Sequence, residues 1–438
     1  MRRALHDRKA LLQQLAHVTA APHAAGELQL GAVPHRGRAG AAQLSVADDR
    51  DAPALHPAAS VHDQRAAGLI LVKPRRRRDP TMGAMDWLVF EQLDRLRRVQ
   101  GSMLDAAGLG PAETPYREIH REAGVTLRRY GSGEEAGPLV LIVPAPIKRP
   151  YIWDLAPEVS AVRRCLAAGA RVLLADWQPA PGTFGLADYA ERLLLDCLEA
   201  AKAERAVLLA HSLGGLFAAI FATLHSERVQ GLALLAAPLS FGAAAPVLSA
   251  IVADLEADDL PDALPGAFLS AASLQAAPGV FGSERVLDAL LSAADPARLR
   301  THLLVERWTL DEFALPRRLV VDLATQIVRE DRFLRGTLEI GGRRAAPSQL
   351  TAPLLCVVDP RCGLVPPAAV LPFVEAAASR DKTVLEYAGD VGVSLRHVGP
   401  LVGRNAHALL WPRIVEWITR LDLDQDAPPR AAFNPMSR

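Results

Sequence analysis

The stretch from Arg205 to Ala222 constrains the fold of this chain more than any other part of its 438 residues. Residues 206–210 form an apolar run of strand length, small residues surround Ser212, and an apolar run without proline begins at Leu216. This order predicts a strand, a tight turn and a helix in immediate succession. Ser212 then lies on the turn, where the backbones of the strand and the helix pass close to each other.

The five residues Ala210-His211-Ser212-Leu213-Gly214 fit the pattern of a nucleophile elbow, with alanine where the first glycine is usual. Small residues are needed at both ends of this pattern because the turn is strained and crowded. We therefore interpret Ser212 as a nucleophile. A serine that caps an ordinary buried helix is the alternative interpretation, which the capping preferences of serine equally allow.

The amino-acid composition limits the classes of function that the chain can have. Half of the residues are hydrophobic, which is enough for a large buried core. The 49 Lys and Arg residues balance the 49 Asp and Glu residues, so net charge favours neither nucleic acid nor a membrane surface as a partner. No apolar run is long enough to span a bilayer. The four cysteines are scattered without the spacing of metal ligands, so we expect a reduced, cytoplasmic protein with no metal and no organic cofactor.

The two ends of the chain differ from its body. Residues 1–84 are rich in Ala, His, Arg and Pro and show little apolar periodicity, which predicts a disordered leader. This leader lacks the apolar segment of a secretory signal, and the methionines at 82 and 85 make an over-extended reading frame a second explanation for it. The polar tail 422–438 is expected to be frayed.

Between these ends, residues 85–421 alternate strands with helices, which predicts a mostly parallel sheet with right-handed crossovers. From about 240 to 342 the pattern changes to alanine- and leucine-rich helical segments broken by prolines, and we expect a helical cap over the active site. Strands are predicted at 125–130, 138–143, 171–175, 206–210, 229–236, 353–358 and 383–387, and helices at 86–100, 161–168, 186–203, from 216 onward and at 406–421.

Several stretches between 144 and 421 resemble the polyhydroxyalkanoate synthases, a branch of the α/β-hydrolase superfamily. The stretches are Arg149-Pro-Tyr-Ile-Trp-Asp-Leu155, Gly169-Ala-Arg-Val-Leu-Leu-Ala-Asp-Trp177, Glu306-Arg-Trp308 with Asp311, Phe333-Leu-Arg-Gly-Thr-Leu-Glu-Ile-Gly-Gly-Arg343, and His397-Val-Gly-Pro-Leu-Val-Gly403 followed by Leu410-Trp-Pro-Arg-Ile-Val-Glu-Trp-Ile418. The resemblance implies an α/β-hydrolase fold with helices on both faces of the sheet. It also implies a small-molecule acyl ester or acyl-CoA substrate related to 3-hydroxyacyl groups, and it leaves homodimerisation and granule association open.

Two positions depart from that family. The synthases use a cysteine at the elbow, where this chain has Ser212, and their catalytic aspartate falls on Cys362 when counted back from Val365. Asp359 lies three residues earlier, just after a predicted strand, and we expect a shifted loop to present it to the base. A turn role before Pro360 is the other interpretation of Asp359, and Asp390 is a weaker candidate for the acid.

The base is expected to be His397, because it lies on a loop after the last predicted strand in the chain order serine, acid, histidine. His407 is the weaker candidate for the base, because it starts a predicted helix and is expected to pack or face solvent. His211 adjoins the nucleophile on a sharp turn, so its side chain is expected to point away from Ser212 and to shape the turn or pocket.

Two backbone N–H groups are predicted to stabilise an oxyanion. The first belongs to Leu213, and the second comes from the loop after the strand that ends at Val143. The prolines at 144 and 146 cannot donate, which leaves Ala145 and Ile147, and we favour Ile147.

These residues favour a serine-dependent hydrolase or acyltransferase that works through an acyl-enzyme on Ser212. Two further functions stay open. One is a polyhydroxyalkanoate synthase that uses serine; the other is a catalytically weakened homologue that acts as a partner or granule-associated protein. Cys362 motivates the last of these, whereas the presence of both Ser212 and His397 argues against it.

Overall fold

The computed structural model describes residues 84–253, 255 and 257–426. The predicted leader, apart from its last residue, and the tail beyond residue 426 lie outside the described residues.

The strands of the described residues are β1 (Tyr116–Glu122), β2 (Val125–Tyr130), β3 (Leu139–Val143), β4 (Arg171–Trp177), β5 (Ala206–His211), β6 (Val229–Leu235), β7 (Ala263–Leu264), β8 (Leu315–Pro316), β9 (Leu338–Ile340), β10 (Arg343–Ala345), β11 (Leu354–Val358) and β12 (Lys382–Glu386). Eight of them form one sheet in the order β1-β2-β4-β3-β5-β6-β11-β12. β2 is antiparallel to both β1 and β4, and the remaining neighbours pair in parallel. The predicted α/β architecture with a mostly parallel sheet is therefore confirmed.

The α-helices in the described part of the chain are α1 (Ala84–Leu104), α2 (Ala161–Ala167), α3 (Leu193–Ala200), α4 (Leu213–Leu224), α5 (Pro246–Ile251), α6 (Gly266–Ala276), α7 (Glu284–Ser292), α8 (Pro296–Thr309), α9 (Arg317–Asp322), α10 (Leu371–Ala376), α11 (Gly399–Val402) and α12 (Trp411–Asp426). α12 is preceded by a π-helical turn, Ala406–Leu410, and continues five residues into the segment predicted to be a frayed tail. In the described part of the chain, no helix is both long and apolar enough to cross a membrane.

The central strands are buried on both faces, and this explains their continuous apolar sequence. Leu141 of β3 and Leu208 of β5 belong to the core on one face of the sheet. Their neighbours Ile142 and Leu209 belong to the core on the opposite face. Because successive side chains of a strand point to opposite faces, both faces of these strands demand apolar residues.

The edge strand β1 was not predicted from the sequence. Most of its residues are exposed, and its sequence Tyr-Arg-Glu-Ile-His-Arg-Glu is dominated by charged and polar side chains. Such a sequence protects the edge of a sheet against pairing with another chain, but it has too few apolar residues to reveal a strand by alternation.

A long helical segment interrupts the sheet between β6 and β11, which are neighbours in it. We call residues 236–353 the insertion; it contains α5 to α9 and two short antiparallel strand pairs, β7 with β8 and β9 with β10. α1 packs against it, since the Trp87 ring lies 5.1 Å from that of Phe268 and Asp94 Oδ1 accepts a 2.7 Å hydrogen bond from Ala267 N at the start of α6.

Candidate active site

The candidate site residues lie just beyond the carboxyl ends of parallel strands. Ser212 follows β5, Ile147 lies on the loop after β3, and Asp359 follows β11. His397 comes after β12 on a longer loop. Ligands in open α/β sheets bind at this edge, so the topology gathers residues that are far apart in sequence.

Ser212 occupies a strained turn between β5 and α4. Its φ of 56° and ψ of −131° lie in a region that residues with a side chain rarely adopt. Such a conformation costs on the order of 1–3 kcal/mol and persists only where the surroundings enforce it. Here the Ser212 N–H donates to Leu235 O at 3.2 Å, and the Ser212 carbonyl accepts from Gly215 N at 2.9 Å. The turn is thus pinned to β6 on one side and to α4 on the other.

Glycine after the turn is required by close packing. A Cβ at Gly214 would lie 2.2 Å from Val143 O and 2.5 Å from Pro144 O. The loop after β3 therefore runs directly against the first turn of α4. Trp177 Nε1 donates to Pro144 O at 2.7 Å and holds the loop there.

His211 connects the turn to the histidine loop. Its Nε2–H donates to the main-chain carbonyl of His397 at 2.9 Å, and the two ring centroids lie 4.6 Å apart. The residue that precedes Ser212 thus fixes the backbone of the predicted base. Burial lowers the pKa of His211 to about 4, so this ring is neutral at neutral pH.

His397 is buried and neutral. Burial, with a smaller contribution from His211, holds the pKa of His397 well below its ordinary value. Its Nδ1 lies 3.8 Å from the sulfur of Cys362, and its Nε2 has no hydrogen-bond partner among the described residues. A neutral ring with a free nitrogen has the protonation state that a general base requires.

Asp359 makes no hydrogen bond to His397. One of its oxygens, Oδ1, accepts from Arg361 N at 2.8 Å, and Oδ2 has no hydrogen-bond partner in the described part of the chain. Aspartates commonly bond to the backbone two residues ahead in a turn, and Cys362 occupies the place beside the ring nitrogen. The structure therefore does not bring together the expected pair of Asp359 and His397.

Cys362 occupies the position next to Nδ1 as a buried thiol. Its sulfur accepts a hydrogen bond from Val365 N at 3.4 Å, and only 3% of the residue is exposed. Burial raises the pKa of this thiol, so it is protonated at neutral pH. The sulfur can accept the Nδ1–H of His397, but it brings no full negative charge to an imidazolium.

The weaker candidates have structural partners elsewhere. His407 Nε2–H donates to Leu401 O at 2.7 Å, and its ring stacks on Trp411. Asp390 Oδ1 accepts from Asn405 N at 2.9 Å, at the start of the turn that leads into α12. The hydrogen bonds that the structure shows for these two side chains all go to groups other than Ser212.

The predicted oxyanion donors lie on the two elements that meet at Gly214. Leu213 is the first residue of α4, where backbone N–H groups have no partner within the helix. Ile147 lies half-buried on the loop after β3, and its carbonyl accepts from Phe313 N at 2.9 Å. Lys148 adds a second tie to the insertion, because its Nζ donates to Thr309 O at 2.6 Å and to Glu312 Oε1 at 2.7 Å.

One polar partner of the histidine loop was missed from the sequence. Asp288 of α7 accepts hydrogen bonds from Gly392 N at 2.9 Å and from Ser394 N at 2.8 Å. The sequence around Asp288 is an ordinary amphipathic helix and offers no local signal for this contact. Within the described ranges, no group of His, Cys, Asp and Glu residues could hold a metal ion.

Comparison with known proteins agrees with this architecture. Residues 156–298 match the family model for the alpha/beta hydrolase fold. The poly(3-hydroxyalkanoate) polymerase subunit PhaC of Allochromatium vinosum is 27% identical over 350 residues, which cover 76% of this chain and 97% of that protein. The corresponding subunit of Synechocystis is 28% identical over 348 residues, which cover 75% of this chain and 89% of that protein.

The sheet order, the strained turn at Ser212 and the family model define an enzyme of the α/β-hydrolase fold, a hydrolase or acyltransferase. Among proteins of this fold, the chain is similar to poly(3-hydroxyalkanoate) polymerase subunits PhaC, and the match covers 97% of the subunits of Allochromatium vinosum and Thiocystis violacea.

Proposed function

We propose that this chain is a serine-dependent acyl-transfer enzyme that forms an acyl-enzyme on Ser212. Its substrate is an ester or thioester, with a 3-hydroxyacyl-CoA as the first candidate because the similar proteins are named as poly(3-hydroxyalkanoate) polymerase subunits. The observation that carries the proposal is the strained turn at Ser212, whose preceding residue is hydrogen-bonded to the backbone of His397.

The chemistry follows from the neutral state of His397. The Oγ of Ser212 attacks the acyl carbonyl carbon while Nε2 of His397 takes the hydroxyl proton. The carbon–oxygen or carbon–sulfur bond to the leaving group then breaks, and the leaving alcohol or thiol receives that proton. The backbone N–H groups of Leu213 and Ile147 stabilise the negative oxygen of the tetrahedral intermediate. Water or another hydroxyl compound then removes the acyl group from Ser212.

The nucleophile favours hydrolysis or a single transfer over polymerisation. A thiolate takes an acyl group from a thioester with little change in free energy and keeps it activated for the next step. An oxyester on Ser212 is a poorer acyl donor and suits a short-lived intermediate. A polymerase that uses serine is the second candidate, and the nearly full-length similarity to the PhaC subunits favours it.

The insertion is the proposed cap of this site. Val280, on the turn before α7, approaches the loop of Cys362 so closely that a Cβ on Gly363 would lie 2.9 Å from its Cγ2. Phe281 packs against the cores on both faces of the sheet. This turn lies against the loop that carries Cys362, the neighbour of His397, and a cap there would exclude water from the acyl-enzyme.

The test is a turnover assay of the purified full-length chain. Short p-nitrophenyl esters and 3-hydroxybutyryl-CoA are offered to the wild type, to Ser212→Ala and to Ser226→Ala, a control serine just beyond α4. We expect turnover that disappears in Ser212→Ala and persists in Ser226→Ala. Polymer from 3-hydroxybutyryl-CoA would support the second candidate. Equal turnover in the wild type and Ser212→Ala would refute the acyl-enzyme.

A further inference from the structure

Two backbone N–H groups of the loop that carries His397 are bound by one carboxylate of the insertion, that of Asp288. Oδ1 of Asp288 accepts from Gly392 N at 2.9 Å, and Oδ2 accepts from Ser394 N at 2.8 Å. Nδ1 of His302, on the neighbouring helix α8, lies 2.7 Å from the same Oδ2. One side chain of α7 therefore joins two backbone groups of the loop to a second helix of the insertion.

These bonds are made by an ionised carboxylate. Burial alone would raise the pKa of Asp288, but the hydrogen bonds from His302 and from the two N–H groups hold it below its ordinary value. Hydrogen bonds to a charged acceptor are roughly twice as strong as those between neutral groups. Asp288 therefore holds the loop more firmly than a neutral side chain in its place.

The anchored loop is strained where Asp288 holds it. Ser394 has a φ of 58°, in the left-handed region that residues with a side chain rarely adopt, whereas the φ of 90° at Gly392 is one that glycine adopts without strain. A Cβ at Gly392 would lie 2.8 Å from Arg298 O of α8, so the backbone is pressed against the insertion. The hydroxyl of Ser394 also donates to Glu306 of α8. Without its anchor, a segment this strained relaxes, and His397 lies only three residues further along the chain.

We propose that Asp288 is a positioning residue that keeps His397 beside Ser212. The backbone of His397 is fixed on the side of the turn by His211 and, through the loop, on the side of the insertion by Asp288. A displacement of α7 would withdraw the second support, so the packing of the insertion and the placement of the base change together. The inference rests on the proposed function, since it assigns the support of the same base.

The test separates placement of the base from binding of the substrate. Asp288→Ala and Asp288→Asn are compared with Asp295→Asn, a control in the same insertion whose carboxylate accepts from Ala297 N and Arg298 N at the start of α8. We expect kcat to fall about 10²-fold in Asp288→Ala, as for a displacement of the base by about 1 Å, and less in Asp288→Asn. KM is expected to stay within a few-fold, and the control is expected to keep its kcat.

A second measurement follows labelling of Ser212 by a fluorophosphonate, which reports on the base without a choice of substrate. The labelling rate is expected to fall in parallel with kcat, while Tm shows that each variant is folded. If Asp288→Ala does not fold, Asp288→Asn decides the question. A folded Asp288 variant with the kcat and labelling rate of the control, or with a change in KM alone, would overturn the inference. Failure of the proposed function itself would be recognised separately, because Ser212→Ala would then have the same turnover as the wild type.

Discussion

Cys362→Asp is expected to accelerate the enzyme, because it gives His397 a charged partner in place of a neutral one. The sulfur lies 3.8 Å from Nδ1. A carboxylate on the same Cβ places an oxygen about 0.6 Å nearer, close to the hydrogen-bond range of about 2.7–3.2 Å. When His397 takes the proton of Ser212 it becomes an imidazolium, and only the carboxylate stabilises that charge electrostatically.

The size of the gain follows from Coulomb's law. Two unit charges about 4 Å apart attract each other by about 4 kcal/mol at an effective dielectric constant of about 20. Position 362 is buried, and Asp359 and Glu284 add negative charge near it, so the new carboxylate loses part of this attraction. If about half of the attraction is lost, the carboxylate lowers the activation free energy by roughly 2 kcal/mol, which raises kcat about 30-fold.

The assay compares kcat of the wild type, Cys362→Asp and Cys362→Ser across acidic and neutral pH. The low pKa of His397 lets wild-type activity persist as the pH falls below 6.5, until the ring is protonated. A carboxylate at 362 raises that pKa, so the acid limb of the Cys362→Asp profile moves to higher pH. Serine at 362 stays neutral and is expected to leave the limb in place. A folded Cys362→Asp that is no faster than Cys362→Ser, with an unmoved limb, would refute the reasoning.

Three other changes probe the nucleophile, its turn and the loop anchor. Ser212→Cys is expected to raise polymer formation from 3-hydroxybutyryl-CoA relative to hydrolysis, measured as insoluble polyester against free acid, because a thioester intermediate stays activated. Gly214→Ala places a Cβ 2.2 Å from Val143 O and is expected to cost about 1–3 kcal/mol in urea unfolding; unchanged stability would contradict this packing. The pKa of Asp288 is lower in the folded state, so its stabilisation is present above the unfolded pKa and disappears as the pH falls through the folded pKa. Thermal unfolding of the wild type and Asp288→Asn should therefore converge at acidic pH, and a constant difference would count against this linkage.

The sequence predicted the fold best where both faces of a strand are buried. β3, β5, β6 and β11 are largely apolar in sequence because both of their faces are buried in a core, and each was predicted to within a residue or two of its bounds. β1 carries the opposite signal, since an exposed edge strand needs no apolar stripe. The central strands were therefore easy to predict because both of their faces are buried, whereas the edge strand was missed because it is exposed.

In the candidate site, too, the residues that depend on local sequence were predictable, whereas those that depend on distant contacts were not. The turn at Ser212 was recognisable because its small neighbours and its strained backbone are properties of one short segment. The residue beside His397 Nδ1 lies 35 positions away in the sequence. The loop after β11 contains two candidates for that place, Asp359 and Cys362. The backbone path of that loop, which the sequence does not reveal, determines which of the two lies beside His397. Asp288 meets Gly392 across 104 positions from the middle of a helix, where its sequence neighbours reveal nothing.

Ser212 and Cys362 both affect how well His397 can act as the base. An alcohol loses its proton far less readily than a thiol, so Ser212 depends on His397 more than a cysteine would. Yet the nearest group to Nδ1 is the protonated Cys362, which cannot stabilise an imidazolium as a carboxylate does. In the proposed mechanism, the base must then rely on what holds its ring in place. The two backbone anchors, from His211 and from Asp288, supply that support, so placement carries more of the catalytic work here than charge does.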